Sequence, residues 1–247
     1  MSGFLVALEF LTRIPSPRRR RIDDTELGPS TRWFPLVGAL LGGIVGLVDF
    51  GLGFVATPEI RAIVAVATLA LLTGGLHLDG LMDSCDGLLA FTAAERRLEI
   101  MRDSRVGSFA IVGATTLLLV KYAAFLSLPG PHRFMAFVII GGLSRWAMVY
   151  AIGRYPSARS EGLAHTFRVS LSRGDLTIAT FFALVVATPA GPAGVTALAV
   201  AWLATVLLAR YTQSKIPGLT GDVYGAICEI VEVAIAIILP PIWTLTG

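Results

Sequence analysis

Ile63-Val64-Ala65-Val66-Ala67-Thr68-Leu69-Ala70-Leu71-Leu72-Thr73-Gly74-Gly75-Leu76 contains no charge, and it runs directly into His77-Leu78-Asp79-Gly80-Leu81-Met82-Asp83-Ser84-Cys85-Asp86-Gly87, which contains three carboxylates. The first part has the composition of a membrane-crossing helix; the second carries the groups a bilayer tolerates least. Asp79, Asp83 and Asp86 are spaced i, i+4, i+7, which on a helix sets them within an arc of about 60° on one face. Like charges stacked in this way raise one another's pKa unless a cation sits among them. Carboxylates without neighbouring lysines suit Mg²⁺ or Mn²⁺, hard cations that take oxygen ligands and also bind phosphates. The stripe is read as a metal site, against the alternative of a solvated helix face.

The rest of the chain fits a membrane setting. Of its 247 residues 55% are hydrophobic and 15% charged, with a mean hydropathy of +0.75. A soluble domain would carry about a quarter charged residues, so the expected class is all-α, a polytopic integral membrane helical bundle. Apolar runs predict about seven transmembrane helices near 33–55, 60–77, 109–128, 134–153, 176–191, 193–209 and 223–243. The fifth run is marginal, and Pro189, Gly191 and Pro192 separate it from the sixth, so a shallow re-entrant hairpin is the alternative there. Gly3 to Leu11, interrupted by Glu9 and followed by Arg13, reads as an amphipathic or re-entrant segment rather than a signal-peptide core. Cys85 and Cys228 have neither zinc nor redox spacing and read as unpaired thiols. No boundary divides residues 1–247, so one membrane-embedded domain is expected. Gly38, Gly42 and Gly46 form a small-residue face on span one suited to close helix packing.

Seven spans divide the loops into two sets. One holds 16 of the 20 lysines and arginines, including the run Arg18 to Arg21; the other holds Arg61 and Arg133; Lys121 and Arg145 fall inside spans. The positive-inside rule makes the rich side cytoplasmic, with the N-terminus inside. Lys121 and Asp49 are expected to snorkel toward an interface, while Arg145 takes either a site-facing or a structural pairing role.

Four polar groups fall on the rich side. Beside the aspartate stripe stands Glu99-Ile100-Met101-Arg102-Asp103-Ser104-Arg105-Val106-Gly107-Ser108. Glu99 and Asp103 are i, i+4 on one predicted helical face, with Arg102 and Arg105 either in surface ion pairs or holding phosphate oxygens as planar forks. Gly107 and Ser108 open a span, a helix N-terminus suited to an anion. The third group, Gly218-Leu219-Thr220-Gly221-Asp222-Val223-Tyr224-Gly225, leads into the last span, where Glu229 and Glu232 follow; Asp222 is either an N-cap or a functional acid. The fourth is the loop from Arg154 to His165. His77 borders the aspartates as a general base, a metal ligand or an interfacial hydrogen-bonder. Acids for a divalent cation and arginines for phosphate, in a membrane, point to transfer of a phosphate-linked group. No Walker loop, zinc motif or nucleophile elbow is present.

At these residues the sequence resembles the cobalamin-5'-phosphate synthase family, also called adenosylcobinamide-GDP ribazoletransferase. The matching elements are Phe10-Leu11-Thr12-Arg13-Ile14-Pro15, Phe34-Pro35-Leu36-Val37-Gly38, Gly75-Leu76-His77-Leu78-Asp79-Gly80 with Asp83 and Asp86-Gly87, and Glu99-Ile100-Met101-Arg102-Asp103-Ser104-Arg105 with Gly107. Near the end come Glu161-Gly162-Leu163 and Thr220-Gly221-Asp222 with Gly225-Ala226 and Glu232. The match covers essentially the whole chain; Ala164-His165 departs from it where a glycine is expected. The resemblance implies that the ribose 3'-hydroxyl of α-ribazole, or of its 5'-phosphate, attacks the phosphorus linked to cobinamide in adenosylcobinamide-GDP, releasing GMP, with Mg²⁺ required. It implies metal ligation by Asp79, Asp83 and Asp86; the chemistry of the residues themselves adds expected catalytic roles for Asp83, Asp222 and His77 and substrate contacts from Arg102, Arg105, Asp103, Gly107 and Arg13. The implied setting is the cell inner membrane, multi-pass, with the active site cytoplasmic, the lipid bilayer as partner, no nucleic acid, and self-association left open.

Two other classes compete. A CDP-alcohol-type phospholipid synthase performs related chemistry with an aspartate run, but its pattern needs an Ala-Arg that Leu81-Met82-Asp83 lacks. A cation transporter would use Asp49, Glu229 and Glu232 as an ion path, whereas most acids here cluster at one face.

Overall fold

The computed structural model describes residues 3–15 and 22–246, so the run Arg18 to Arg21 lies outside the described residues. Twelve α-helices are present among the described residues: α1 Gly3–Leu11, α2 Asp24–Ser30, α3 Phe34–Leu52, α4 Pro58–Thr73, α5 Leu76–Leu89, α6 Ala94–Ile100, α7 Ser108–Leu126, α8 Arg133–Arg154, α9 Leu163–Ser170, α10 Arg173–Ala187, α11 Pro192–Gln213 and α12 Gly221–Thr246. They contain no β-strand; a single bridge pairs Ser157 with Leu219.

Among the described residues, five rods are long and apolar enough to cross a membrane alone: α2 running on into α3, α7, α8, α11 and α12. Two bent pairs, α4 with α5 and α9 with α10, raise the number to as many as seven. The seven expected runs all reappear as helices of a polytopic bundle. Run six forms α11, long enough and apolar enough to cross by itself. Run five forms α10, which meets α9 at 95°. Leu47, Phe50, Ile63, Leu71, Val112, Leu119, Val195 and Leu207 are exposed on the outside, an apolar surface that lipid covers.

Span two departs from its expected course. Expected to reach residue 77, the helix stops at Thr73, because Gly74 and Gly75 both take left-handed backbone angles (φ 62° and 74°). Gly75 N–H donates to the Ala70 carbonyl at 2.9 Å and Gly74 N–H to that of Leu71 at 3.0 Å, closing the helix end. The chain then turns by 91° into α5. A helix at right angles to a crossing helix cannot share its membrane normal, so the acidic stretch is laid across the bundle against α12 and α7.

α8 and α12 form the centre, buried along most of their length. α3 meets α8 with almost no side chain between them: a Cβ on Gly38 would fall on the Gly141 carbonyl, and one on Gly42 on the Phe137 carbonyl. The small-residue face read from the sequence is this contact. Neither Asp49 nor Lys121 snorkels. Asp49 is buried and receives Arg133 Nε at 2.9 Å, Arg133 Nη2 at 2.6 Å and Arg61 Nη2 at 2.5 Å. Lys121 donates to Glu229 and, at 2.5 Å, to Glu232, which also receives Arg145. Charges this deep persist only when paired, and the expectation that they seek an interface is corrected on that ground.

The α3–α8 contact makes a direct forecast. Gly42→Val should cost about 2 kcal/mol or more through overpacking, read as a lower melting temperature in detergent. Gly43→Val, at a position with nothing within 4 Å of a Cβ, should leave it unchanged. Equal melting of the two variants would rule out the close approach.

Candidate active site

α5 supplies the carboxylates because its first turn wedges against the start of α12. A Cβ at Gly80 would come within 2.7 Å of the Asp222 carbonyl oxygen, and one at Gly225 within 3.1 Å of that of His77. These glycines let the two helices touch backbone to backbone. The contact brings Asp79 and Asp222, distant in sequence, to the rim of one cavity. Asp222 is not the N-cap of α12. Thr220 has that role, accepting Val223 N–H at 3.4 Å and donating its hydroxyl to Asp222 at 3.1 Å, which leaves Asp222 facing outward from the first turn.

Asp79, Asp83 and Asp86 lie on one helix, as their spacing predicts, and line a cavity of about 290 Å³ together with Arg102, Asp103 and Arg105. The structure nevertheless divides the stripe. Both oxygens of Asp86 are engaged: Oδ2 accepts Gly107 N–H at 2.7 Å and Oδ1 accepts Ala110 N–H at 2.8 Å. The anion expected at the N-terminus of α7 is therefore Asp86 itself, and Gly107 is occupied with a protein carboxylate. A Cβ at Gly107 would meet the Asp86 carboxyl at 2.5 Å, so glycine is needed for the carboxylate to reach the helix end. Asp79 and Asp83 accept no hydrogen bond and meet no cation among the described residues. Among those residues no three acidic, histidine or cysteine groups converge as a ready metal cage. Two free carboxylates beside two arginines match a cation such as Mg²⁺, which keeps waters and completes its octahedron with substrate phosphates rather than demanding an all-protein shell.

The arginine loop also differs from its reading. α6 ends at Ile100, so Glu99 and Asp103 do not share a helical face: Glu99 pairs with Arg96 at 2.7 Å and Asp103 lies in the following loop. Asp103 receives Arg105 through Nε at 3.0 Å and Nη2 at 2.6 Å. Those side-chain hydrogen bonds, with one from the Arg105 backbone, hold the Asp103 carboxyl down at about 2. Asp103 thus stays ionised across the physiological range and occupies the Arg105 fork as a diphosphate would. Arg102 is exposed and lines two cavities, the second shared with Arg159, whose Nη2 donates to the Leu98 carbonyl at 2.9 Å. Arg159 also borders a cavity with Glu161, Gly162, Thr220 and Asp222. The loop after Tyr155 is thereby part of the site, tied to the α12 approach by Ala158 N–H to Leu219 (2.9 Å) and Leu219 N–H to Pro156 (2.8 Å).

His77 is buried in the first turn of α5, its Nδ1 3.4 Å from Arg145 Nη2, and lines the cavity shared with Asp79 and Asp222. Arg13 is not with the other substrate candidates. Its N–H donates to the Leu72 carbonyl at 2.8 Å, its side chain lies over Gly74, and it lines a separate apolar hollow with Leu71 and Leu72. Its position closes the end of α4. Tyr224 was not singled out by sequence, although a tyrosine beside an acid in the first turn of an apolar span is a readable signal; it lines the His77 cavity, its hydroxyl buried without a partner.

The family model described as Cobalamin-5-phosphate synthase matches residues 3–240. An "Adenosylcobinamide-GDP ribazoletransferase" of Roseiflexus sp. (strain RS-1) is 42% identical over 228 residues, 92% of this chain and 85% of the relative. Proteins of the same description from Desulforamulus reducens (35% over 232 residues; 94% and 93%) and Herpetosiphon aurantiacus (37% over 230 residues; 93% and 92%) are also similar. No solved structure matches the chain.

The division of the aspartate stripe separates two kinds of defect. Asp86→Ala removes the acceptor of two backbone donors and should lower thermal stability by about 1–2 kcal/mol, as loss of a helix cap does. Asp79→Asn and Asp83→Asn should leave melting nearly unchanged and weaken the apparent Mg²⁺ affinity of turnover. A stable Asp86→Ala protein whose only defect is metal affinity would make Asp86 a metal ligand rather than a cap.

Proposed function

Because the chain belongs to the cobalamin-5-phosphate synthase family, we propose that it joins α-ribazole, or its 5'-phosphate, to the cobinamide phosphate of adenosylcobinamide-GDP, as the name of its relatives describes. It is a transferase of cobalamin biosynthesis built as a multi-pass helical membrane protein. In the proposed reaction the ribose 3'-oxygen forms a bond to the phosphorus that carries cobinamide. The bond from that phosphorus to the GMP oxygen breaks, and the hydroxyl proton is lost. Adenosylcobalamin, or its 5'-phosphate, and GMP are the products.

The observation that carries the site reading is that Asp79 borders two cavities at once, one with Arg102 and Arg105 and one with His77 and Asp222. A donor phosphate in the first and an acceptor hydroxyl in the second would meet at Asp79. Arg102 and Arg105 would grip the diphosphate as planar donors, Arg105 exchanging Asp103 for the ligand. Asp222, at the rim of the acceptor cavity, is suited to take up the hydroxyl proton. Asp79 and Asp83 would hold Mg²⁺. Bound there, the ion supplies charge neutralisation on the phosphoryl oxygens. An ion path through Asp49, Glu229 and Glu232 finds no support, because all three are paired with buried cations.

We place this enzyme in the inner membrane with the cavities toward the cytoplasm. Support comes from the 16-to-2 division of basic residues between loop sets. In a background without Cys85 and Cys228, a cysteine at Ser157 should be labelled only from the cytoplasm and one at Thr244 only from outside. Labelling of both from one side would overturn the seven-span parity.

The activity itself is read by GMP release. The full chain in nanodiscs, given adenosylcobinamide-GDP, α-ribazole and Mg²⁺, should release GMP and stop on addition of EDTA. No release with either form of ribazole would overturn the assignment. Arg102→Lys and Arg105→Lys keep the charge but lose the fork, and at least one should lower kcat by about tenfold or more, because displacement at phosphorus depends on charge stabilisation. A selective rise in the ribazole KM would instead turn these arginines toward the acceptor.

A further inference from the structure

Behind the reacting edge lies a cavity of about 160 Å³ walled by Phe10, Phe34, Met148, Phe167, His77 and Tyr224. Phe167 stands edge-on to Phe10 and Phe34, with ring centroids 4.8 and 5.9 Å apart, and Phe10 stacks on Phe34 at 5.9 Å. Within this aromatic lining, His77 Nε2 and the Tyr224 hydroxyl are buried without hydrogen-bond partners among the described residues; the two residues are 1% and 3% exposed. Buried polar atoms are almost always satisfied, so two orphans on residues lining one cavity mark the place of a missing partner.

The proton on His77 can be located. A guanidinium only donates, so Arg145 Nη2, 3.4 Å from Nδ1, requires Nδ1 to accept, and the neutral ring then carries its hydrogen on Nε2. Arg145 is itself held by Glu232 and by the Ser144 hydroxyl at 2.9 Å, and Glu232 by Lys121 at 2.5 Å. The buried ion network thus fixes a donor, Nε2–H, on a side chain that lines the aromatic cavity.

We propose that this cavity binds the benzimidazole base of the ribazole acceptor, with the single lone pair of the ring nitrogen that bears no sugar shared between His77 Nε2–H and the Tyr224 hydroxyl. The proposal rests on the transfer reaction argued above. A closed apolar cavity of about 150 Å³ takes up one benzene ring; this one is of similar volume, and Asp79 and Asp222 in its lining are shared with the neighbouring cavities, so the second ring extends that way. Flat rings pack well against edge-on and stacked phenylalanines. The competing occupant is the guanine of the donor. Its edge carries several donors and acceptors, and a wall of phenylalanine and methionine with two polar atoms would leave most of them unpaired. A dimethylbenzimidazole has one free ring nitrogen and is otherwise hydrocarbon. With the base here the ribose lies at Asp79 and Asp222, the two residues that also border the neighbouring cavities.

The test is equilibrium binding of α-ribazole, followed by benzimidazole fluorescence, to the full chain in nanodiscs without corrinoid, together with steady-state KM values for both substrates. Tyr224→Phe and His77→Leu should weaken ribazole binding about five- to tenfold and raise its KM, leaving the adenosylcobinamide-GDP KM unchanged. His77→Gln, which keeps an N–H donor, should recover most of the loss. An indole analogue of ribazole, with the ring nitrogen replaced by CH, should bind wild type more weakly by a similar factor and distinguish it poorly from His77→Leu. Should His77→Leu not fold, Tyr224→Phe, which removes one oxygen, still carries the test. A rise in the corrinoid KM alone would put guanine in the cavity and overturn the proposal. Unchanged ribazole binding in variants that melt like wild type would overturn it too, while full wild-type turnover leaves the reaction standing. Absence of both ribazole binding and GMP release in wild type would overturn the reaction and, with it, the pocket.

Discussion

A helix carrying three carboxylates cannot be continued along the membrane normal, and two consecutive left-handed glycines, Gly74 and Gly75, turn it aside. Every other part of the site depends on that turn. It lays α5 across the bundle so that Gly80 and Gly225 press it onto the start of α12, and it brings Asp79 beside Asp222. It also carries Asp86 to the N-terminus of α7, where a carboxylate replaces the missing helical partners of two N–H groups. One end of α5 is locked to α12 and the other to α7, and Asp79 and Asp83 remain between them, free and facing a cavity.

The second organising element is the set Lys121, Arg145, Glu229 and Glu232, two cations and two anions buried among α7, α8 and α12. Balanced pairs of this kind contribute little net stability compared with packed hydrocarbons, yet removing one member costs about 3–5 kcal/mol. Such a set is retained for what it fixes. Here its outermost contact, Arg145 to His77, orients an imidazole at the wall of the aromatic cavity, linking an energetically expensive arrangement in the bilayer to the chemistry at its edge.

The sequence made the spans legible because apolar length is a one-dimensional property, and seven runs became helices. Gly74-Gly75 is not legible as a break in the sequence, because glycine is common inside membrane helices and only the backbone angles reveal it. The fates of Lys121 and Asp49 were hidden for a different reason: their partners stand 111 and 84 residues away, and no local pattern encodes such a pairing. The aspartate stripe is legible in the sequence as one helical face, yet the contact that engages Asp86 depends on Gly107, 21 residues on. Phe10, Phe34 and Phe167 come from three separate helices, so their shared cavity exists only in three dimensions.

Asp49 has a consequence that reaches beyond its own burial. At the end of the bundle away from the cavities, Asp49 and Glu59 stand against Arg61 and Arg133, so the formal charges there cancel. The buried set of two cations and two anions cancels as well. In the sequence the formal charge of +3 therefore lies in the other segments, where the run Arg18 to Arg21, outside the described residues, supplies four of 16 cations against 13 anions. The 12 described cations of those segments do not outnumber their anions, so the excess of positive charge rests on that arginine run. A net positive charge raises the encounter rate with polyanions, an effect that weakens as ionic strength rises.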